Sequence, residues 1–419
     1  MRRRSFLKIA GITSTASSFL GGIHPALALT WQKIGGSTSS MGKVKLPTRV
    51  KSTNAKMTIA CGSISSYAIN SNGLLFSCGN NGSGQLGINS VANKSSFVSA
   101  LNMSNIIAIS KSGGGCLVLR SNGNIFGCGY NPTPVDDGYG GSTYGSVLGN
   151  GDGNYHQSNF GACVGVSNVI AMSNGSTHSI AIRSDGFVFT SGNGYFGQLG
   201  INLSGINTRT ITFVQAIGIS NAVAVTNGYD RSFALRSDGL VFGCGANSSS
   251  QLGMNTTVGK ITFAQCLGIS NASAISAGRY NVMALRSDGL VFTCGEYGTS
   301  LGNNSTSAKS TFTQAIGISN AVAIACGYKH SVALRSDGLV FSCGQNIAGQ
   351  LGDNTTIDKS AFIQASGISN IVAISAGIEG SHTLALRSDG LLFACGFNGS
   401  GQLGDNSTAN KSTFGQMLN

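Results

Sequence analysis

The segment Leu334-Arg335-Ser336-Asp337-Gly338-Leu339-Val340-Phe341-Ser342-Cys343-Gly344, followed by Gly349-Gln350-Leu351-Gly352, recurs in recognisable form seven times in this chain of 419 residues. Its turn glycines are Gly73, Gly123, Gly186, Gly239, Gly289, Gly338 and Gly390, at intervals of 50, 63, 53, 50, 49 and 52 residues. A self-similar module of about 50 residues is the unit of a propeller or a solenoid. Only the second interval is long, so one copy carries an insertion.

Each module reads as four short strands. In the last, Asn370 to Gly377, His382 to Leu386 and Leu391 to Cys395 are apolar runs of strand length with glycine at or near their boundaries, and Ser360 to Gln364 is the outer run of the copy before. Arg387-Ser388-Asp389-Gly390 joins the second run to the third, and an Asp-Gly pair supplies the positive φ of a tight hairpin. Apolar residues stand at nearly every strand position, as expected when neighbouring sheets cover both faces. With 62 glycines and 10% charged residues, the composition suits stacked sheets rather than helices. The N-terminal repeat starts at the strand equivalent to Ala323-Ile324-Ala325-Cys326-Gly327, whereas the C-terminus stops just before that strand would come. The expectation is therefore an all-β fold over residues 57–419, a seven-bladed β-propeller with one blade completed by strands from both termini.

Ile324-Ala325-Cys326-Gly327-Tyr328-Lys329-His330-Ser331-Val332-Ala333-Leu334 resembles the signature of the regulator of chromosome condensation repeat. That signature reads apolar, two small residues, Gly, two free positions, His, small, apolar, any, apolar. The Asp-Gly hairpin and the Gly-Gln-Leu-Gly stretches at 84–87, 197–200, 349–352 and 401–404 match it as well. The resemblance covers about 57 to 419 and implies the same seven-bladed propeller, used chiefly as a rigid recognition platform; some secreted bacterial relatives inhibit β-lactamases. The chain departs from the pattern in placing Cys where an aromatic usually precedes the strand-ending Gly, and in keeping the signature His only at His178, His330 and His382.

The first residues read as an address. Arg3-Arg4-Ser5-Phe6-Leu7-Lys8, a weakly apolar stretch and Ala26-Leu27-Ala28 resemble a twin-arginine signal, with cleavage expected after Ala28. Residues 1–28 are thus read as signal peptide, and the protein as exported to the periplasm, cell surface or extracellular space. Residues 29–56 form a basic linker, with Lys33, Lys43, Lys45, Arg49, Lys51 and Lys56 and no acid. It is read as a solvated linker, with contact to an anionic envelope polymer as the alternative. Once signal and linker are set aside, 16 bases face 14 acids, so the net charge of +12 gives no phosphate-binding field in the repeats and no nucleic-acid partner is expected. No apolar run of membrane-spanning length follows the N-terminus, and a soluble monomer is expected.

Cys78, Cys128, Cys244, Cys294, Cys343 and Cys395 occupy one repeat position, with Ser191 in the third copy. A recurring small apolar position is a packing slot, and equivalents a blade apart are too distant to pair. No disulfide framework is expected. Nor is catalysis, a metal or a cofactor. Three of the five His fill a repeat slot, His24 lies in the signal, and His156 alone stands outside the pattern near Asp152. Gly192-Asn193-Gly194-Tyr195-Phe196-Gly197 satisfies a nucleotide-binding spacing, yet it is a repeat loop that opens no helix.

Function is sought where near-identical copies disagree. The two residues after the first strand's glycine are Tyr229-Asp230, Arg279-Tyr280 and Tyr328-Lys329 in three successive copies, and equivalent loops of a propeller share one end of the ring. Tyr and Arg dominate interface hot spots. A second arc follows the Cys-Gly slot, at Tyr195, Phe196, Tyr297 and Phe397, and the long insertion adds Tyr130 and the adjacent pair Asp136 and Asp137. These thirteen residues are the candidate partner-binding set, for a macromolecule and first of all a protein. An enzyme acting on cell-wall or extracellular polysaccharide, and a surface adhesive module, are the other readings.

Overall fold

The computed structural model describes residues 58–131, 147–151, 156–296 and 298–418. They form seven four-stranded antiparallel sheets spanning 58–99, 106–162, 169–215, 222–265, 272–314, 321–364 and 371–416, which are blades one to seven in chain order. The first strands of neighbouring blades pack on one another around a central axis, and the fourth strands lie at the rim. The one described helix is a single turn, Gly298–Leu301 in the fifth blade.

Burial explains why the strands read as continuously apolar. In the sixth blade, Ala321–Cys326, His330–Arg335 and Val340–Gly344 are buried almost throughout, whereas Lys359–Gln364 at the rim is largely half-buried or exposed. Inner strands are sandwiched between two blades, so neither face can be polar. At each Arg-Ser-Asp-Gly hairpin the Asp carboxylate accepts from the arginine, and the same arginine lies over a Phe of the following strand, as Arg335 does over Phe341 at 4.9 Å. The hairpin acids are turn formers, and ion pairs this open to solvent add little to stability.

Blades meet along a repeated seam. The loop between third and fourth strands offers a backbone carbonyl to the hydroxyl in the next blade's second strand: Gln198 to Ser232 at 2.7 Å, Ser300 to Ser331 at 2.7 Å and Gln350 to Thr383 at 2.8 Å. The slot Cys reaches the same carbonyl, Cys244 Sγ lying 3.5 Å from Gln198 O and Cys395 Sγ 3.6 Å from Gln350 O. Nearer the axis, hydroxyls of Ser173, Thr226 and Ser276 accept from the backbone N–H of Asn227, Ala277 and Cys326 in the following blades.

The ring closes differently from the sequence expectation. The first blade comprises four consecutive N-terminal strands and the seventh four consecutive C-terminal ones, so no blade is shared between the termini. The chain ends coincide with blade boundaries because the N-terminal repeat opens on an inner strand and the last repeat finishes on a rim strand. Closure uses the ordinary seam instead: Ser66 Oγ donates to Gln402 O at 2.6 Å, Cys61 N to Ser375 Oγ at 3.0 Å, and His382 Nε2 lies 3.1 Å from Ser66 Oγ. The seven blades and the all-β class stand as read. Residues 1–57 lie outside the described residues, and with them the expected signal and basic linker.

The last glycine of each Gly-Gln-Leu-Gly stretch is the keystone of its seam. Gly352 has φ +68°, and a Cβ there would sit 2.6 Å from the Phe414 ring and 3.1 Å from Cys395 Sγ of the next blade. Gly352→Ala should therefore cost about 2–4 kcal/mol, combining left-handed backbone strain with overpacking. Gly82→Ala is the control: its nearest neighbour would be 3.8 Å away, and its effect should stay within about 0.5 kcal/mol in urea unfolding.

Candidate functional site

Within a blade the loop between first and second strands and the loop between third and fourth strands leave from the same end of the ring. Backbone bonds tie the two: Ala246 N donates to Asp230 O, Glu296 N to Tyr280 O, Gln345 N to Lys329 O and Phe397 N to Ser381 O, at 2.8–3.0 Å. The two arcs singled out in the sequence are therefore concentric, one near the axis and one outside it.

In the inner arc five of the six varying residues of blades four to six cluster, all but Asp230. The Arg279 guanidinium lies 4.0 Å from the Tyr229 ring centroid, 5.3 Å from Tyr328 and 5.6 Å from Tyr280. Tyr280 and Tyr328 meet edge to face at 5.6 Å, with the Lys329 ammonium 5.5 and 5.4 Å from their rings. Arg279 also reaches Glu379 of the seventh blade at 3.8 Å. These side chains are half-buried among themselves. A charged group seated over aromatic faces and partly desolvated is stabilised by about 0.5–2 kcal/mol per contact.

In the outer arc Tyr195 and Phe196 are 45% and 46% exposed and stack edge to face at 4.7 Å, Phe397 is 37% exposed, and Ile347 adds 69% exposure in the sixth blade's loop. The loops that carry them are rigid by construction. Asn346 and Asn398, both fully buried, accept from the N–H of Leu351 and Leu403 through Oδ1 and donate through Nδ2 to loop carbonyls. In the third blade Asn193 Oδ1 accepts from Tyr195 N at 2.7 Å. Tyr130 ends the second blade's third strand with its ring 5.6 Å from that of His156. Tyr297, Asp136 and Asp137 lie outside the described residues, as does Asp152.

A small cavity of about 40 Å³ lies on the axis beneath the inner arc, lined by the ends of the first strands, among them Cys61, Lys111, Asn174, Ala277 and Ile378. Charged groups cluster here. Burial lowers the Lys111 pKa to about 8, and its ammonium donates to Gly113 O at 2.6 Å. Burial likewise raises the Asp230 carboxyl to about 6, against the pull of Arg231 and Arg279. Arg231 occupies the slot held by His in other blades; it is buried, brought down to about 10 by desolvation, and donates to the Arg279 carbonyl.

Comparison with known proteins agrees with this architecture. The family model of the regulator of chromosome condensation (RCC1) repeat matches residues 321–350, 371–402 and 337–386. The chain carries RCC1 repeats. Yeast RCC1 (Prp20), solved bound to Kap60, superposes with a TM-score of 0.69 at 17% identity, covering 91% of each chain. Prp20p from Saccharomyces cerevisiae, solved in a study of its binding to Gsp1p and histones, gives 0.67 at 19% identity over 76% of this chain and 80% of that one. Human WBSCR16 gives 0.68 at 19% over 83% and 94%. Among curated sequences, the probable E3 ubiquitin-protein ligase HERC4 of Homo sapiens is 27% identical over 221 residues, 51% of this chain and 20% of that protein. A bifunctional serine/threonine-protein kinase/NEDD4-like E3 ubiquitin-protein ligase of Dictyostelium discoideum is 32% identical over 118 residues, 26% of this chain and 6% of that protein. The chain thus spans a fifth or less of the length of these two relatives.

Within the RCC1 repeats the histidines are structural. His178 Nε2 lies 2.8 Å from Ser232 Oγ and His330 Nε2 3.1 Å from Thr383 Oγ1, each across a seam, and Asn281 makes the same bond to Ser331 at 2.8 Å in the fifth blade. Two features escaped the sequence. The second copy keeps the loop motif beyond its insertion, as Leu148 N donates to Asn131 Oδ1 and Val147 O accepts from Ser179; the surviving Leu148-Gly149 pair was its signal. Arg231 and Glu379 stand in slots whose charge only the folded ring shows to be buried or shared.

Burial lowers the pKa values of His178, His330 and His382 to about 3, 3 and 4, from 6.5. Between those limits the unfolded chain holds three protons that the folded one lacks, so stability falls as pH drops below 6.5. Asp230 opposes this: with its folded pKa raised from 3.8 to about 6, the native state holds one extra proton between pH 6 and 4. The balance of two protons gives a loss of about 3 kcal/mol per pH unit near pH 5 in urea titrations. His330→Asn, which copies Asn281 of the fifth blade, should halve that slope.

Proposed function

We propose that the chain is a non-enzymatic recognition platform that binds a protein partner through the end of the ring carrying both arcs. The observation that supports this most is the Arg279 cluster: four blades contribute side chains that hold one guanidinium among three tyrosines at the mouth of the axis. Arginine and tyrosine are the residue types that dominate hot spots, and groups already packed lose little entropy on binding. Exposed Tyr195, Phe196, Ile347 and Phe397 extend this centre with apolar area. The binding of Gsp1p and histones by Prp20p favours the same kind of role for a propeller of this fold.

The alternative of a polysaccharide-degrading enzyme has less behind it. The three repeat histidines are neutral and committed to seams, the hairpin carboxylates are paired with arginines, and the His156 ring lies tilted beside that of Tyr130. Export by a twin-arginine route, a monomeric state and a place in the periplasm, at the surface or outside the cell belong to the same proposal and rest on Arg3, Arg4 and the residues that follow.

The test is capture from envelope and culture-supernatant fractions by the chain lacking residues 1–28, alongside Tyr229→Ala/Arg279→Ala/Tyr328→Ala. The triple variant should fold, as judged by its circular dichroism. It should bind the captured protein at least about thirtyfold more weakly, some 2 kcal/mol. Undiminished binding by the variant would remove this face from the interaction, and turnover of a polysaccharide panel without capture would favour the enzyme.

A further inference from the structure

Across the three inner strands of every blade, one row of directly opposed residues ends at the cysteine slot. The row reads Cys61, Ser66, Cys78 in the first blade, Asn227, Ser232, Cys244 in the fourth, Cys326, Ser331, Cys343 in the sixth and Ala376, Thr383, Cys395 in the seventh. Ser179 likewise holds the middle place in the third. In the second blade the row is Lys111, Cys116, Cys128. In five of the other blades the middle place is a hydroxyl that bonds the preceding blade's loop, and in the fifth it is Val282; in the second it is a thiol, next to the slot thiol on one side and an ammonium on the other.

We propose that Cys116 and Cys128 are a redox pair, closed to a cross-strand disulfide by a hydroperoxide. Tyr130 N donates to Gly114 O and Arg120 N to Asn124 O, so by alternation Cys116 and Cys128 are also a hydrogen-bonded pair, with Cα atoms about 5.5 Å apart. That separation is near the commonest one in disulfides. The first and sixth blades also carry two row cysteines each, but with a serine between them they stand two strand spacings apart, roughly 10 Å, beyond bridging.

The chemistry follows from the neighbours. Both thiols are buried, and burial raises that of Cys128, while the Lys111 ammonium pulls it back toward the thiolate. Lys111, at the axial end of the row, lines the axial cavity, which has room for a molecule as small as hydrogen peroxide. The Cys128 thiol gives up its proton and the thiolate attacks one peroxide oxygen; the O–O bond breaks, the released hydroxide takes that proton, and a sulfenic acid and water result. The Cys116 sulfur then displaces hydroxide from the sulfenic sulfur and its own proton leaves with it as a second water. Two thiols and one peroxide become one disulfide and two waters. Cys128 Sγ, 3.4 Å from Gln85 O, leaves that carbonyl to Tyr67, whose hydroxyl already donates to it at 2.9 Å.

The full chain is reduced, treated with hydrogen peroxide, denatured and alkylated, and its peptides are mapped without reduction. The expected result is a linked pair of peptides containing Cys116 and Cys128, with nine of the eleven cysteines alkylated. Cys116→Ser, which restores the residue of the first, third, fourth and sixth blades, should fold and give no linked pair. Lys111→Met, which removes the ammonium that favours the thiolate, should slow closure about tenfold, while Lys111→Arg keeps the wild-type rate. Eleven alkylated thiols after peroxide treatment, or sulfinic acids at Cys116 and Cys128 without linkage, would overturn the proposal. A rate for Lys111→Met equal to that of Lys111→Arg would remove the lysine from it.

Discussion

Most seams of the ring turn on one backbone carbonyl, that of the residue before leucine in the loop between third and fourth strands. In four of the seven it accepts both a hydroxyl and a thiol from the next blade, as Gln198 does from Ser232 and Cys244, and Gln402 from Ser66 and Cys78 across the closure. The carbonyl can point outward from its own blade only because the glycine two residues on takes a left-handed turn with no Cβ to strike the neighbour. A serine or threonine, a cysteine and a glycine recur together because they are three parts of one contact. Since the contact at the closure has the same parts as those inside the ring, the ring needs no strand exchange between its termini.

That division of labour explains how much was legible in the chain. The hairpins were readable because Asp-Gly dictates a turn locally, and the strand count because sandwiched sheets leave no polar face to break the apolar run. The ends misled: an N-terminal inner strand and a C-terminal rim strand look complementary in sequence, yet they are what a ring of whole blades also has. The arcs were legible as positions because equivalents in a ring share an end. Their contacts were not, since Tyr229, Arg279 and Tyr328 are about 50 residues apart along the chain and only the width of a blade brings their rings to 4.0 and 5.3 Å from one guanidinium.

Substitutions within a repeat slot were also opaque. Arg231, His330 and Asn281 share one register position, facing Gly245, Gly344 and Gly295, but they are not equivalent chemically. His and Asn reach the next blade's hydroxyl, whereas Arg231 faces a blade with Val282 in that place and its longer side chain donates to the Arg279 carbonyl. A scaffold residue of one blade thereby props the loop whose side chain centres the inner arc. Charge burial follows from that reach rather than from any motif.

The same logic separates the two ends of the ring. At the hairpin end each arginine answers to its own aspartate two residues away and to its own phenylalanine, so the pairs are local and repeat without consequence for one another. At the loop end Arg279 answers to blades four, six and seven, and the Glu379 carboxylate paired with it also acts on the Lys111 ammonium. Removing one partner there leaves the others partly desolvated and unpaired, so the end behaves as a unit. A ring of near-identical parts acquires a distinct site where side chains bond across blades instead of within them.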